Sequence, residues 1–174
     1  MVAVQNRGAC VYTVMNVRRK VFLSLACTAL MCGQQGKPDF SGTWKLNAAE
    51  SDFSDKRTSA PDLLVWTLRH EANHVTYRVQ SERKGKKNEF EADADIGGEP
   101  FESDAAGIIR FQWKGSSLAV DTLYNPGKDR ESSVEEIWTL SADGKKLTDE
   151  VVYHMPKNAK DTSDLRFKRV FDKQ

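Results

Sequence analysis

From Gly42 to the end of the chain, apolar residues return at every second position, the spacing of a strand with one face in a core. The clearest runs are Trp44 and Leu46; Leu64, Trp66 and Leu68; Val75, Tyr77 and Val79; Phe90 and Ala92; Ile109, Phe111 and Trp113; Leu118 and Val120; Val151 and Tyr153; and Leu165, Phe167 and Phe171. Between them stand the connectors EAN, RKGKK, IGGEP, KGS, NPGKD and ADG, made of residues that accept a positive φ or preset a turn. Connectors this short join neighbouring strands as antiparallel hairpins. A meander of about eight to ten strands with no long crossover hides its edges by closing on itself. The pattern predicts an all-β, up-and-down antiparallel β-barrel.

One stretch competes with that reading. His70 to His74 spell HEANH, a match to H-E-x-x-H, by which zinc peptidases hold a metal between two imidazoles one helical turn apart. The flanking residues, LLVWTLRHEANHVTYRVQ, alternate on both sides of the motif and are rich in β-branched types. As a helix they would scatter Trp66, Leu68, Val75, Tyr77 and Val79 around the circumference with no single buried stripe. The expected structure is therefore a hairpin turning at Ala72 and Asn73, with the two histidines on different strands as an exposed, structural pair. No metal site, cofactor or peptidase activity is expected.

The chain ends differ in composition. Arg18, Arg19 and Lys20 precede an apolar run from Val21 to Met31, too short to span a bilayer and built like a secretory signal. Met15 opens that segment compactly and is the expected start. The division expected is a signal and extension over 1–33, a linker over 34–38 and a barrel domain over 39–174, exported to the periplasm or medium with no transmembrane segment in the mature chain. All three cysteines, Cys10, Cys27 and Cys32, precede the barrel, so no internal disulfide is expected in it. A lipid anchor at Cys27 or Cys32 stays open but is not favoured by the residues before them. Residues 1–33 hold four basic residues and no acidic one, so the whole-chain totals of 26 basic and 25 acidic become 22 and 25 beyond them. A mildly acidic domain with no RNA-binding motif excludes nucleic acid as the expected partner.

The segment DFSGTWKLNAAESDF, Asp39 to Phe53, resembles the opening of calycin barrels, the superfamily of lipocalins and fatty-acid-binding proteins, with Gly42-Thr43-Trp44 as their G-x-W. At the other end, RFKRVFDKQ resembles the closing strand of the fatty-acid-binding branch, in which an Arg and a Tyr two residues later meet a ligand carboxylate. The matching positions are Arg169 and Phe171. The resemblance implies that Gly42, Trp44 and Arg169 close one end of the barrel, with Trp44 packed under Arg169 or Lys168. Two departures are visible. Asn47 to Pro61 has no amphipathic stripe for the two-helix lid of that branch, and Phe171 lacks the hydroxyl that would bond a carboxylate. The superfamily is claimed, not the branch.

Catalytic signatures are missing: there is no G-x-S-x-G, no Gly-rich phosphate loop and no cysteine after Cys32. Glu89, Glu91, Asp93 and Asp95 alternate with Phe90, Ala92 and Ala94, which puts the carboxylates on the outer face of a strand. The expected function is binding of a small hydrophobic or amphiphilic ligand inside the barrel by Trp66, Tyr77, Phe90, Phe111, Trp113, Tyr153, Phe167, Arg169 and Phe171. The alternative is that these rings fill the barrel, leaving a packed structural or protein-interaction domain.

Overall fold

The structure, a computed structural model, describes residues 36–103 and 107–174. The proposed signal, the start at Met15 and the three cysteines all lie outside the described residues. Ten strands are present among them: β1 (Gly42–Leu46), β2 (Leu63–Glu71), β3 (His74–Arg83), β4 (Lys86–Asp95), β5 (Phe101–Ser103), β6 (Gly107–Lys114), β7 (Ser117–Tyr124), β8 (Ser132–Leu140), β9 (Lys146–His154) and β10 (Leu165–Lys173). Each pairs antiparallel with its neighbour in sequence, and β1 closes the circuit against β10. The exception is β4 and β5, which share no ladder and leave a seam. Gly97 N–H donates across it to the Phe111 carbonyl at 2.7 Å, and the Phe90 and Phe101 rings meet edge to face at 6.4 Å. The result is a nearly closed up-and-down barrel, the fold class that the alternation predicts.

The turns follow their residues. Ala72 (φ 54°) and Asn73 connect β2 to β3, while Lys84 and Gly85 (φ 52° and 74°) connect β3 to β4. Two-residue loops with positive φ match the twist of paired strands. Two strands lie outside the apolar runs named above. Strand β5 is only three residues long, and β8 (SSVEEIWTL) was hidden because its inward positions carry Ser132 and Glu136 beside Val134 and Trp138.

The core is a cluster of interlocked rings. Trp66 lies 4.1 Å from Phe171 and 4.9 Å from Trp138 between ring centroids; Tyr77 lies 4.9 Å from Trp138 and Phe111 lies 6.1 Å from it. Burying each such side chain contributes roughly 1.5–3 kcal/mol. Beyond this cluster, toward the start of β1, Phe40 and Trp44 are fully buried, and the Trp44 indole N–H donates to the Phe40 carbonyl at 3.0 Å.

The expected pairing of Trp44 with Arg169 or Lys168 is not what closes this end. The β1/β10 register sets Trp44 opposite Lys173, whose Nζ stands 5.1 Å from the indole centroid. Gly42 makes room for that side chain. It has φ 145°, and a Cβ there would sit 2.6 Å from the Lys173 Cε. Arg169 lies four residues earlier on the same face of β10, about two pleats deeper, too far along the strand to reach Trp44. Lys168 points outward and pairs through its backbone with Asp52.

Between β1 and β2 the chain forms no helix. Residues 47–62 run along β10 instead, held by the Asp52–Lys168 bridge, by Val170 N–H donating to Ser51 Oγ at 2.9 Å and by Phe53 stacked on Phe167 at 5.9 Å. Arg57 ties the same segment to the β9–β10 connection, bonding Asp55 at 2.7 Å and Asp161 at 3.1 Å.

Candidate functional site

The barrel is filled unevenly. From the middle of β10 toward the start of β1 rings occupy the interior; toward the other end, between β7 and β10, a cavity of about 760 Å³ opens. Alternation along four strands builds it. Tyr124 ends β7; Ser132, Val134 and Glu136 point in from β8; Val151 and Tyr153 from β9; Phe167 and Arg169 from β10. The β7–β8 and β9–β10 connections form its rim, with Arg130, Met155 and Pro156. The walls are apolar below and hydroxyl-bearing above, where Tyr153 O–H donates to Ser132 Oγ at 2.9 Å.

At the floor sits a charge cluster. Arg169 Nε donates to Asp149 Oδ2 at 2.5 Å, and its Nη2 pairs with Glu136 Oε1. Asp149 is fully buried, whereas the Glu136 and Arg169 side chains keep 12% and 17% of their surface, on the cavity side. The guanidinium also lies over the faces of Trp66, at 4.9 Å, and Phe167, at 5.6 Å. Burial pushes the Asp149 carboxyl up to about 8, because the attraction of Arg169 is partly undone by the like charge of Glu136. Burial likewise raises Glu136. Burial opposes the charge on Arg169, but the two carboxylates outweigh it and keep the guanidinium protonated. Asp149 Oδ1 has no hydrogen-bond partner among the described residues.

The nine residues expected to meet a ligand therefore separate. Tyr153, Phe167 and Arg169 line the cavity. Trp66, Tyr77, Phe111 and Phe171 are packed into the ring cluster, and Phe90 lies beside the seam against Tyr77. Trp113 is at the far end, 6.1 Å from Phe40 and 5.5 Å from His70, with Lys37 Nζ 5.1 Å over its ring. Glu136 and Asp149 were missed, although the period-2 rule reaches them. Stepping back from Tyr153 and Val151 lands on Asp149, and stepping back from Trp138 lands on Glu136. A carboxylate at an inward register position was the available signal.

The histidines of HEANH fall on β2 and β3, as the hairpin predicts. They are not an exposed pair, however. The His70 side chain is 6% exposed, wedged between Phe40 and Trp113; Nδ1 accepts from Phe40 N–H at 3.5 Å and Nε2 bonds the Ala72 carbonyl at 3.0 Å. Both ring nitrogens are thus engaged with backbone, leaving no lone pair for a metal. His74 is exposed, bonded to Asp95 at 2.7 Å and Asp93 at 2.5 Å, and these two hydrogen bonds raise its pKa. The outer-face carboxylates Glu89, Glu91, Asp93 and Asp95 are all exposed. No cluster of histidine, cysteine and acidic groups able to hold a metal occurs among the described residues. Among those residues no helix is long and apolar enough to cross a membrane.

The ten antiparallel strands, paired in chain order except at the β4/β5 seam, form a nearly closed up-and-down barrel. No protein-family model and no curated protein matches this chain. Solved structures match it in fold. Lipid binding protein 8 of Caenorhabditis elegans, in its apo form, superposes with a TM-score of 0.52 at 14% identity, over 78% of this chain and 95% of that one. Secretory abundant heat soluble protein 4 of Ramazzottius varieornatus does so with a TM-score of 0.53 at 17% identity, over 80% of this chain and 99% of the other.

Proposed function

We propose that the protein binds a small amphiphile in the cavity between β7 and β10. The observation that carries this is the cavity itself. Its volume of about 760 Å³ falls within the roughly 300–1,000 Å³ of small-molecule sites, and it joins apolar walls to a few convergent polar groups. The fold supports the reading, since one of its matches is named a lipid binding protein. The role is carriage or sequestration rather than catalysis. The ring cluster favours a narrower second reading, in which the barrel is a packed interaction domain and the cavity only a water-filled dimple.

Native mass spectrometry of freshly purified protein, with solvent extraction of whatever it carries, separates the two. A copurifying amphiphile, or saturable uptake of a neutral fluorescent probe displaced by single-chain amphiphiles, is the expected result. A chain that takes up no amphiphile of any head group is a packed domain. We propose further that residues 1–33 direct export, which the basic and apolar pattern of Arg18 to Met31 supports. Intact-mass analysis should then find a mature N-terminus between Cys27 and Lys37, and cytosolic protein retaining the first residues would refute it.

A further inference from the structure

The closing-strand resemblance assigns Arg169 to a ligand carboxylate, and the charge cluster argues against it. A guanidinium that receives an anion must be free to do so, whereas Arg169 already bonds both Asp149 and Glu136. With both carboxylates ionised the floor holds two negative charges and one positive, in a site largely closed to water. A buried net charge is unfavourable and draws in a compensating one. An anionic head would add to the surplus; a second cation would cancel it.

The groups facing the floor accept hydrogen bonds and present ring faces, which suits an ammonium. Glu136 offers carboxylate oxygens there and Phe167 a ring face beside them, while Tyr124, Tyr153 and Ser132 place hydroxyls higher on the wall. Arg130, the other basic residue of the lining, is exposed at the rim, where water screens it. The sign of the local field is visible in a neighbour. Tyr124 is raised to about 12 by burial first and then by Glu136, ahead of the opposing pull of Arg169. Tyr77, across the barrel on β3, is raised by the same causes in the same order.

Resting on the ligand-binding reading above, we propose that the cavity selects an amphiphile with a cationic amine head, bound head-inward, whose ammonium supplies the second positive charge that the Glu136–Asp149–Arg169 cluster lacks. In the empty protein a proton held on the buried Asp149 carboxyl fills that role. Binding therefore exchanges one cation for another: the ammonium enters and up to one proton leaves to solvent. The charged and titratable groups facing this exchange are Glu136 on β8, Asp149 and Tyr153 on β9, Arg169 on β10, Tyr124 on β7 and Tyr77 on β3.

The test compares dodecylamine, dodecanol and dodecanoate, each below its aggregation limit, on the purified chain by displacement of a neutral fluorescent probe and by calorimetry in buffers of differing ionisation enthalpy. Dodecylamine should bind about 10- to 100-fold more tightly than dodecanol at neutral pH, the span of a charge-assisted hydrogen bond. Dodecanoate should bind more weakly than either. Amine affinity should rise with pH up to about 8, where Asp149 titrates, with proton release below that point. Glu136→Gln removes the surplus charge while keeping the shape, and should erase both the amine preference and the proton release; Asp149→Asn tests the same point should the first variant fail to fold. If dodecanoate or dodecanol matches the amine, the cavity binds amphiphiles and the ammonium assignment falls. If the preference survives in a folded variant, the cluster is not its cause. If none of the three displaces the probe, both the assignment and the ligand-binding reading fall.

Discussion

The two ends of the barrel solve the same problem in opposite ways. At the Trp44 end the interior is filled by Phe40, Trp44 and Trp113 with the nearby ring cluster, and its cations, Lys37 and Lys173, stay at the surface over ring faces. At the cavity end the interior is left partly empty, and a cation, Arg169, is taken inside with two carboxylates around it. A filled end gains from area removed from water and asks little of its charges. A buried ionic cluster gains little net stability, because desolvation offsets the attraction, but it gives the site a defined charge and fixed hydrogen-bonding directions. The contrast sets a packed scaffold at one end against the proposed site at the other.

Trp44→Ala strikes the filled end hardest. Removing a fully buried indole should cost about 3–5 kcal/mol by chemical denaturation. An unchanged denaturation midpoint would mean that the Trp44 end is not the scaffold.

Next in size is Arg169→Met, which leaves Glu136 and Asp149 facing each other without their cation. The expected loss is about 3 kcal/mol near neutral pH. It should shrink in acid, as the carboxylate charge that remains there near neutral pH is protonated. A loss independent of pH would show that Arg169 contributes by packing on Trp66 and Phe167, as at the opposite end.

A smaller effect is the pH dependence of the intact protein. The folded pKa of Asp149, about 8, lies above its unfolded value near 3.8, so folding takes up a proton between the two. The stability that this group contributes is fully present below about pH 4 and is lost as pH rises through about 8. His74 and His154, whose pKa values are also raised, lose their contributions in the same direction as pH rises through their folded values. Melting temperature should therefore fall from pH 5 to 9. Asp149→Asn should flatten the upper part of that slope, and a slope unaltered by this variant would assign it to the histidines.

Lys173→Met should have the smallest effect, roughly 0.5–1 kcal/mol, the contribution of a cation over an aromatic face at an exposed site. A loss as large as that of Trp44→Ala would make the lysine part of the closure itself rather than its cover.

The strands and the site differ in how far the sequence discloses them. Strands β2, β3 and β6 declare themselves because apolar side chains mark most of their inward positions. Strand β8 does not, because at the cavity end the inward positions are polar, and a method that looks for apolar alternation is blind where the interior holds charge. For the same reason Glu136 and Asp149 were missed while Arg169, adjoining a recognisable closing motif, was found. The Trp44 partner was misassigned for a different reason. A register shift of four residues along β10 changes which basic side chain lies over the indole, and nothing local to either segment sets that register.

By itself the sequence determined the barrel. A two-residue period, short turn-forming connectors and the lack of a long crossover leave a closed meander as the favoured way to bury one face of every strand. It also determined that HEANH would be a hairpin, since helix and strand periods cannot both be satisfied by one stretch of apolar residues. Only the tertiary structure decided where the interior is full and where it is open, and that Arg169 spends its charge on two carboxylates from neighbouring strands. Those outcomes depend on distances between residues 13 to 33 apart in the chain, which closure of the sheet sets and no local pattern records.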